Sequence, residues 1–349
     1  MLPSTFLARA GTGTLNPKIR EAYATMADLH RRAHRYGALV DVRRQMLATF
    51  AEQLGSADVA AQEDRLRLWE ALRNVPPQEV EIGKGADVPL VDAIDIAVEF
   101  PAGEVLLNPD TGSGLSVMAR SDAVRLGLRL IEVPVGVTTV TGSRQATLAV
   151  APEMRIGDVR IRQAVFLVFP DAALFRARQG VQRHGTIGAP VLEALGDITF
   201  TRSGRFRVAA AARTFEGADM FLEDLDPIVD VGYAGRRLRM ALDTGADETT
   251  FWAKFAHDLD ASRLPGAQRV EREVGSIGVT RRVAMLEVPD MAIAIGPTRL
   301  SFPNRRLVAL DAPTEDGQLF HGSLGRDVYR LHDQLTINYR TMRVALGGP

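Results

Sequence analysis

The residues best suited to chemistry are two acids in the same setting. Asp110-Thr111-Gly112 recurs as Asp243-Thr244-Gly245. With Asp and Thr each at about one position in twenty and Gly at about one in eleven, this tripeptide is expected about 0.08 times in a chain of this length, so two copies are a poor accident. The three residue types also make physical sense together. A Gly lets backbone N–H groups reach back to the preceding carboxylate, which a Cβ would obstruct. The Thr hydroxyl can tie its loop to a facing one. One such loop presents one acid, and two facing loops present a pair, Asp110 with Asp243, equipped for acid–base work.

The elements that must position this pair are legible around it. Each tripeptide leaves a strand-like run, Val105-Leu106-Leu107 or Leu238-Arg239-Met240-Ala241-Leu242, so each is expected in a turn at a strand's end. The repeat extends well beyond the motif. Ile156-Gly157-x-x-x-Ile161 recurs as Ile295-Gly296-x-x-x-Leu300, and Thr186-Ile187-Gly188-x-x-Val191 recurs as Ser323-Leu324-Gly325-x-x-Val328. Ile198-Thr199-Phe200 is matched by Leu335-Thr336-Ile337. The offsets are 133, 139, 137 and 137, in preserved order. Two homologous β-rich lobes follow, 84–210 and 217–349. Ahead of them, residues 1–78 read as a helical segment. Asn16 is expected to cap a helix opened by Pro17, and Ile19, Tyr23, Met26 and Leu29 or Ala33 recur near a 3.6 period. Tyr36-Gly37 and Gly55-Ser56 are expected to break the helices, and Val75-Pro76-Pro77 ends them.

With these residues in this order, the chain resembles the retropepsin-like aspartic peptidases, in the bacterial form with two units in one chain behind a helical segment. The likeness covers most of the sequence and is closest in the second lobe. There, Leu242-Asp243-Thr244-Gly245-Ala246-Asp247-Glu248-Thr249 reads almost as the retroviral protease loop does, and Leu324-Gly325-Arg326-Asp327 resembles the element that underlies it. The resemblance implies a mainly β fold of two tandem acid-protease β-barrel lobes meeting at a cleft. It implies an aspartic endopeptidase without metal, cofactor or covalent intermediate, with Asp110 and Asp243 as catalytic pair. Thr111, Gly112, Ser113, Thr244, Gly245 and Ala246 would support the pair, and Asp247 and Arg326 would form a structural ion pair.

In such a site two carboxyls about 3 Å apart share one proton and titrate as a unit. The ionised member takes a proton from a water that attacks the peptide carbonyl; the protonated member stabilises the oxyanion, and the proton passes on to the leaving amine. Ser113 can donate a hydrogen bond where Ala246 cannot, so Asp110 is expected to be the more acidic member. Family members cover the pair with a β-hairpin flap. Val140-Thr141-Gly142-Ser143 and Val274-Gly275-Ser276-Ile277-Gly278-Val279 are the candidates, with Gly supplying the positive φ of a tight turn.

Lobe one departs from the pattern. Asn108-Pro109 stands where the family is apolar, removing a ladder N–H just ahead of Asp110, a change that could displace it. Gly114 stands where lobe two has Asp247, and Ala189 where it has Arg326, so both halves of the ion pair are gone together and no charge is orphaned. Three other readings remain beside the one-chain peptidase. Lobe two could dimerise in trans through Asp243; the chain could be a catalytically silent peptide-binding or scaffolding protein; or it could process only itself.

A peptide or protein partner is what the resemblance implies, and composition speaks against the polyanionic alternatives. Forty-two basic and 43 acidic side chains leave a net charge of −1, which offers no field to nucleic acid or an anionic membrane. The absence of cysteine excludes disulfides, thiolate catalysis and cysteine metal sites. His30 and His34 stand i, i+4 but lack the Glu of a zinc-protease helix, and the other four histidines form no cluster with a Ser nucleophile. Gly11-Thr12-Gly13 and Gly83-Lys84-Gly85 are too short for a phosphate loop, and the 6% of aromatics are not interleaved with cations. No apolar run reaches the ~18 residues of a membrane span, and Met1 to Ala10 lacks the pattern of a signal peptide. A soluble chain is therefore expected, whereas the resemblance points to exported relatives.

Overall fold

Three helices, Pro17–Arg32, Tyr36–Phe50 and Ser56–Ala71, precede the strands in the computed structural model. It describes residues 17–50, 53–54, 56–139, 142–176, 181–211, 213–223, 225–260, 264–276, 279–302, 306–310 and 316–347. The proposed cap Asn16 and the break residue Gly55 lie outside these. The first break falls at 33–35, where His34 takes a φ of 53°, and Tyr36-Gly37 instead opens the second helix. Packing explains the shift: the Tyr36 ring is buried and stacks on Trp69 at 5.6 Å and 17°, a gain that offsets the low helix propensity of Gly37. Ile19, Tyr23 and Ala27 face inward, whereas Leu29 is 58% exposed.

The helices pack on the outside of lobe one. Tyr23, Leu39, Phe50 and Leu72 share an apolar cluster with Leu115, Val117, Leu148, Val150, Val165 and Leu167. This accounts for the unbroken apolar run 165–169. In the strand Val159–Phe169, Val165, Leu167 and Phe169 meet the helices, while Ala164, Phe166 and Val168 point into the main core. Alternate side chains of a strand face opposite sides, so a strand covered on both faces must be apolar throughout.

Lobe one is an eight-stranded sheet in the order Glu79–Glu81, Val159–Phe169, Ser116–Ala119, Gly185–Ile187, Gly103–Pro109, Ile96–Phe100, Gly142–Ile156, Arg129–Thr139. Val159–Phe169 also pairs with Gly142–Ile156, which closes six of these strands into a barrel. Lobe two repeats the scheme, with Gly322–Leu324 lying between Thr250–Phe251 and Arg236–Leu242. The repeated Ile-Gly elements are hairpin tips in both lobes, Gly157 at φ 55° and Gly296 at φ 58°, values at which a Cβ is strained.

Six adjacent strands bridge the lobes, in the order Ala86–Pro89, Arg205–Val208, Asp197–Thr201, Gln334–Asn338, Arg343–Leu346, Ala218–Glu223. At its centre the two copies of one repeat pair with each other: Ile198 with Ile337, Thr199 with Thr336, Phe200 with Leu335. The Thr199 and Thr336 hydroxyls lie 3.1 Å apart. Equivalent residues can face each other in an antiparallel pair only across a two-fold axis, so the repeat is also a symmetry of the fold. Arg213, in the connection between the lobes, is held by buried Asp197 at 2.5 Å, and its carbonyl accepts a hydrogen bond from Asn338 Nδ2 at 2.8 Å. Among the described residues no helix is long and apolar enough to cross a membrane.

Candidate active site

Asp110 follows the strand Gly103–Pro109, and Asp243 follows Arg236–Leu242. Each is pinned by a parallel neighbour: the Asp110 N–H donates to the Ile187 carbonyl and the Asp243 N–H to that of Leu324, both at 2.9 Å. Asn108-Pro109 therefore leaves Asp110 in register, with Thr186 opposite Asn108 just as Ser323 is opposite Ala241. The reason is that the site uses the Pro109 carbonyl and has no need of the missing N–H. That carbonyl accepts the Thr244 hydroxyl at 2.7 Å, and the Leu242 carbonyl accepts the Thr111 hydroxyl at 2.5 Å. Each hydroxyl also accepts the other threonine's N–H at 3.0 Å. Both threonines are buried, and these four crossed bonds lock one loop to the other.

This lock presses each Gly against the opposite acid. A Cβ on Gly112 would sit 2.7 Å from the Asp243 Cγ, and one on Gly245 would strike the whole Asp110 carboxyl. The two carboxyls hydrogen-bond to each other, and each keeps an accessible face. Burial, then the charge of Asp243, holds Asp110 well above the ordinary carboxyl range against a single N–H bond from Gly112. Burial raises Asp243 too, but N–H groups of both Gly245 and Ala246 donate to its Oδ1, at 2.9 and 3.1 Å. This geometry reverses the expected order of acidity. The Ser113 hydroxyl donates to the Leu115 carbonyl at 2.7 Å, and the Ser113 N–H to the Asp110 backbone carbonyl at 3.3 Å, so neither serves the carboxylate.

A family model for aspartyl proteases matches residues 102–191 and 229–328, so each matched stretch holds one of these loops. The chain belongs to the aspartyl protease family. No curated protein matches the chain.

Asp247 and Arg326 form an ion pair, the guanidinium 3% exposed and the carboxylate 53%. Behind it, Asp327 accepts the Thr249 N–H at 3.0 Å, the Thr249 hydroxyl at 2.7 Å and Arg306 Nη1 at 2.9 Å. Sequence reasoning assigned no role to Asp327 or Arg306; the only signal was that Asp327 adjoins Arg326. In lobe one, an added Cβ on Gly114 would meet nothing within 4 Å, and Ala189 is buried. The backbone bonds nevertheless repeat. The Ala189 N–H reaches the Ser113 carbonyl at 2.8 Å and the Arg326 N–H that of Ala246 at 2.9 Å. Gly188 N–H meets the Ser116 hydroxyl at 3.0 Å, and Gly325 N–H that of Thr249 at 3.1 Å.

Both flap candidates lie at hairpin ends. Gly142 and Ser143 pair with Thr139 and Thr138, next to residues 140–141, which lie outside the described set. Gly275 and Ser276 pair with Thr280 and Val279, while Ile277 and Gly278 lie outside it. Among the described residues, no three His, Cys, Asp or Glu side chains are grouped to hold a metal.

Proposed function

We propose that the protein is an aspartic endopeptidase in which Asp110 and Asp243 of one chain act as a single pair. The observation that carries this is the reciprocal packing of each loop on the opposite acid, with the two carboxyls hydrogen-bonded and both raised above their ordinary range. Two acids so placed hold one proton between them. Asp243, with two N–H donors, is the ionised member and takes the proton of an attacking water; Asp110 carries the shared proton and offers it to the oxyanion of the peptide carbonyl. Collapse of the tetrahedral intermediate then returns a proton to the leaving amine. The hairpins ending at Thr139/Gly142 and Ser276/Val279 would serve as flaps that exclude water from this step. Pairing within one chain favours this reading over a trans dimer built on Asp243.

The test is cleavage of an unstructured protein library from about pH 3 to 7 by wild type, Asp110→Asn and Asp243→Asn. The expected result is cutting by wild type and a loss of at least about a thousandfold in each variant. Activity surviving in Asp110→Asn would point to lobe two acting in trans. A silent wild type that also binds no statine-type transition-state analogue would leave a peptide-binding groove in place of an enzyme.

A further inference from the structure

The two loops have equivalent backbones but different supports. In lobe two, Asp247 is tied to Arg326 and approached by Arg330 Nη2 at 4.0 Å, all within the lobe. By the repeat offsets, the lobe-one counterparts of Asp247, Glu248, Arg326 and Arg330 are Gly114, Leu115, Ala189 and Glu193. At the last position the charge is reversed, and Glu193 looks outward to the helical segment: Arg32 Nε and Nη2 both donate to its Oε1, at 2.8 and 2.6 Å. Both partners are largely covered, Arg32 33% exposed and Glu193 18%. Glu193 belongs to the helix Ala189–Leu195, whose first N–H holds the Ser113 carbonyl. The same helix is gripped again where Gln78 Nε2 donates to the Pro190 carbonyl at 3.1 Å. On the other side of the loop, Leu115 replaces an exposed Glu248 and is buried in the cluster of the helices, beside the Tyr36–Trp69 stack.

We infer that the helical segment is the positioning element for Asp110: Arg32, acting through Glu193 and with the Tyr36–Trp69 stack over Leu115, does for the lobe-one loop what the Asp247–Arg326 pair does for lobe two. The pair Arg32–Glu193 spans 161 residues of sequence and touches neither carboxyl, so its effect on the site is indirect. Severing it should loosen one half of the catalytic pair and leave the other half intact. The proposal rests on the peptidase reading only for its kinetic readout.

The experiment uses the full chain with Arg32→Glu, Glu193→Arg and both together. Hydrogen exchange is followed over 108–118 and 241–251, alongside kcat and KM on a peptide substrate. Each single change should speed exchange over 108–118 about tenfold and leave 241–251 at the wild-type rate. It should lower kcat about tenfold with KM within about twofold, because a misplaced acid costs the chemical step more than binding. The double variant re-forms the pair with reversed charge and should return both readouts to within about threefold of wild type. Should a charge reversal prevent folding, Arg32→Gln provides a milder break whose smaller change must run in the same direction. Unchanged exchange over 108–118 in the single variants, or a double variant no better than either single, overturns the inference. The two readings fail separately. A wild type that cuts nothing but shows the exchange pattern removes the peptidase and keeps the brace, whereas an active enzyme with unmoved exchange removes the brace alone.

Discussion

The two lobes hold the same loop by different means. The backbone frame is repeated, from the N–H of each Asp to the Gly that meets a Ser or Thr hydroxyl beneath it, and the N–H that Ala246 gives to the Asp243 carboxylate is the exception. Side-chain support diverges: lobe two uses ion pairs on buried arginines, Arg326 with the half-exposed Asp247 and Arg306 with the buried Asp327, whereas lobe one leans on an apolar helical cap with one ion pair at its margin. The Asp-Thr-Gly loop thus keeps one backbone but accepts either chemistry as its brace, provided that no buried charge is left alone.

The largest effect should come from the contact the lobes share. Gly112→Ala and Gly245→Ala each push a methyl into the opposite carboxyl, and activity should fall by about a hundredfold or more, with a lowered melting temperature. Gly245→Ala should be the more severe; a mild phenotype in either would mean that the loops are not pressed together. Next comes the brace. Asp247→Ala leaves Arg326 buried and unpaired and should cost about 3 kcal/mol in a denaturant titration, whereas Glu193→Ala, between partly exposed partners, should cost about 1 kcal/mol. Equal costs would erase the difference between the lobes.

A third measurement separates the acids by pH. A carboxyl raised above its unfolded value contributes stability that is present below the ordinary carboxyl range and lost as pH rises through the folded value. Asp110→Asn abolishes that loss, so its melting temperature relative to wild type should climb by a few degrees between about pH 4 and 7. Asp243→Asn should climb less, because two N–H donors already favour its charge. The smallest effect is that of Ser113→Ala, where kcat should stay within about twofold and both pH limbs should stay put, since the hydroxyl serves the Leu115 carbonyl. A displaced acidic limb would make Ser113 a partner of Asp110 after all.

Much of this site was legible in the sequence because the fold is repetitive. The Asp-Thr-Gly loop, the Ile-Gly tip and the run centred on Thr199 or Thr336 each appear twice, and a two-fold axis makes the copies meet. What symmetry does not generate stayed hidden. Arg32 lies outside the repeat, and Glu193 carries the opposite charge to its repeat counterpart Arg330, so their pairing across 161 residues has no copy in lobe two. The order of acidity was misread because a hydroxyl chooses among nearby acceptors by geometry, and the Leu115 carbonyl two residues on was invisible in a row of letters. The helix break near residue 36 was misread for a similar reason, with the Tyr36–Trp69 stack overriding the local preference of Gly37.

The six-stranded bridge also has a consequence for biosynthesis. Asp197–Thr201 is synthesised more than a hundred residues ahead of Gln334–Asn338, the strand that pairs with one of its edges. Until Gln334–Asn338 leaves the ribosome, a finished first barrel displays the open β edge of Asp197–Thr201, apolar at Ile198 and Phe200, on which any passing strand could template. Truncation before 334 should therefore produce inclusion bodies from an otherwise complete lobe one, and the nascent chain has reason to need a chaperone while residues 202–338 are being made.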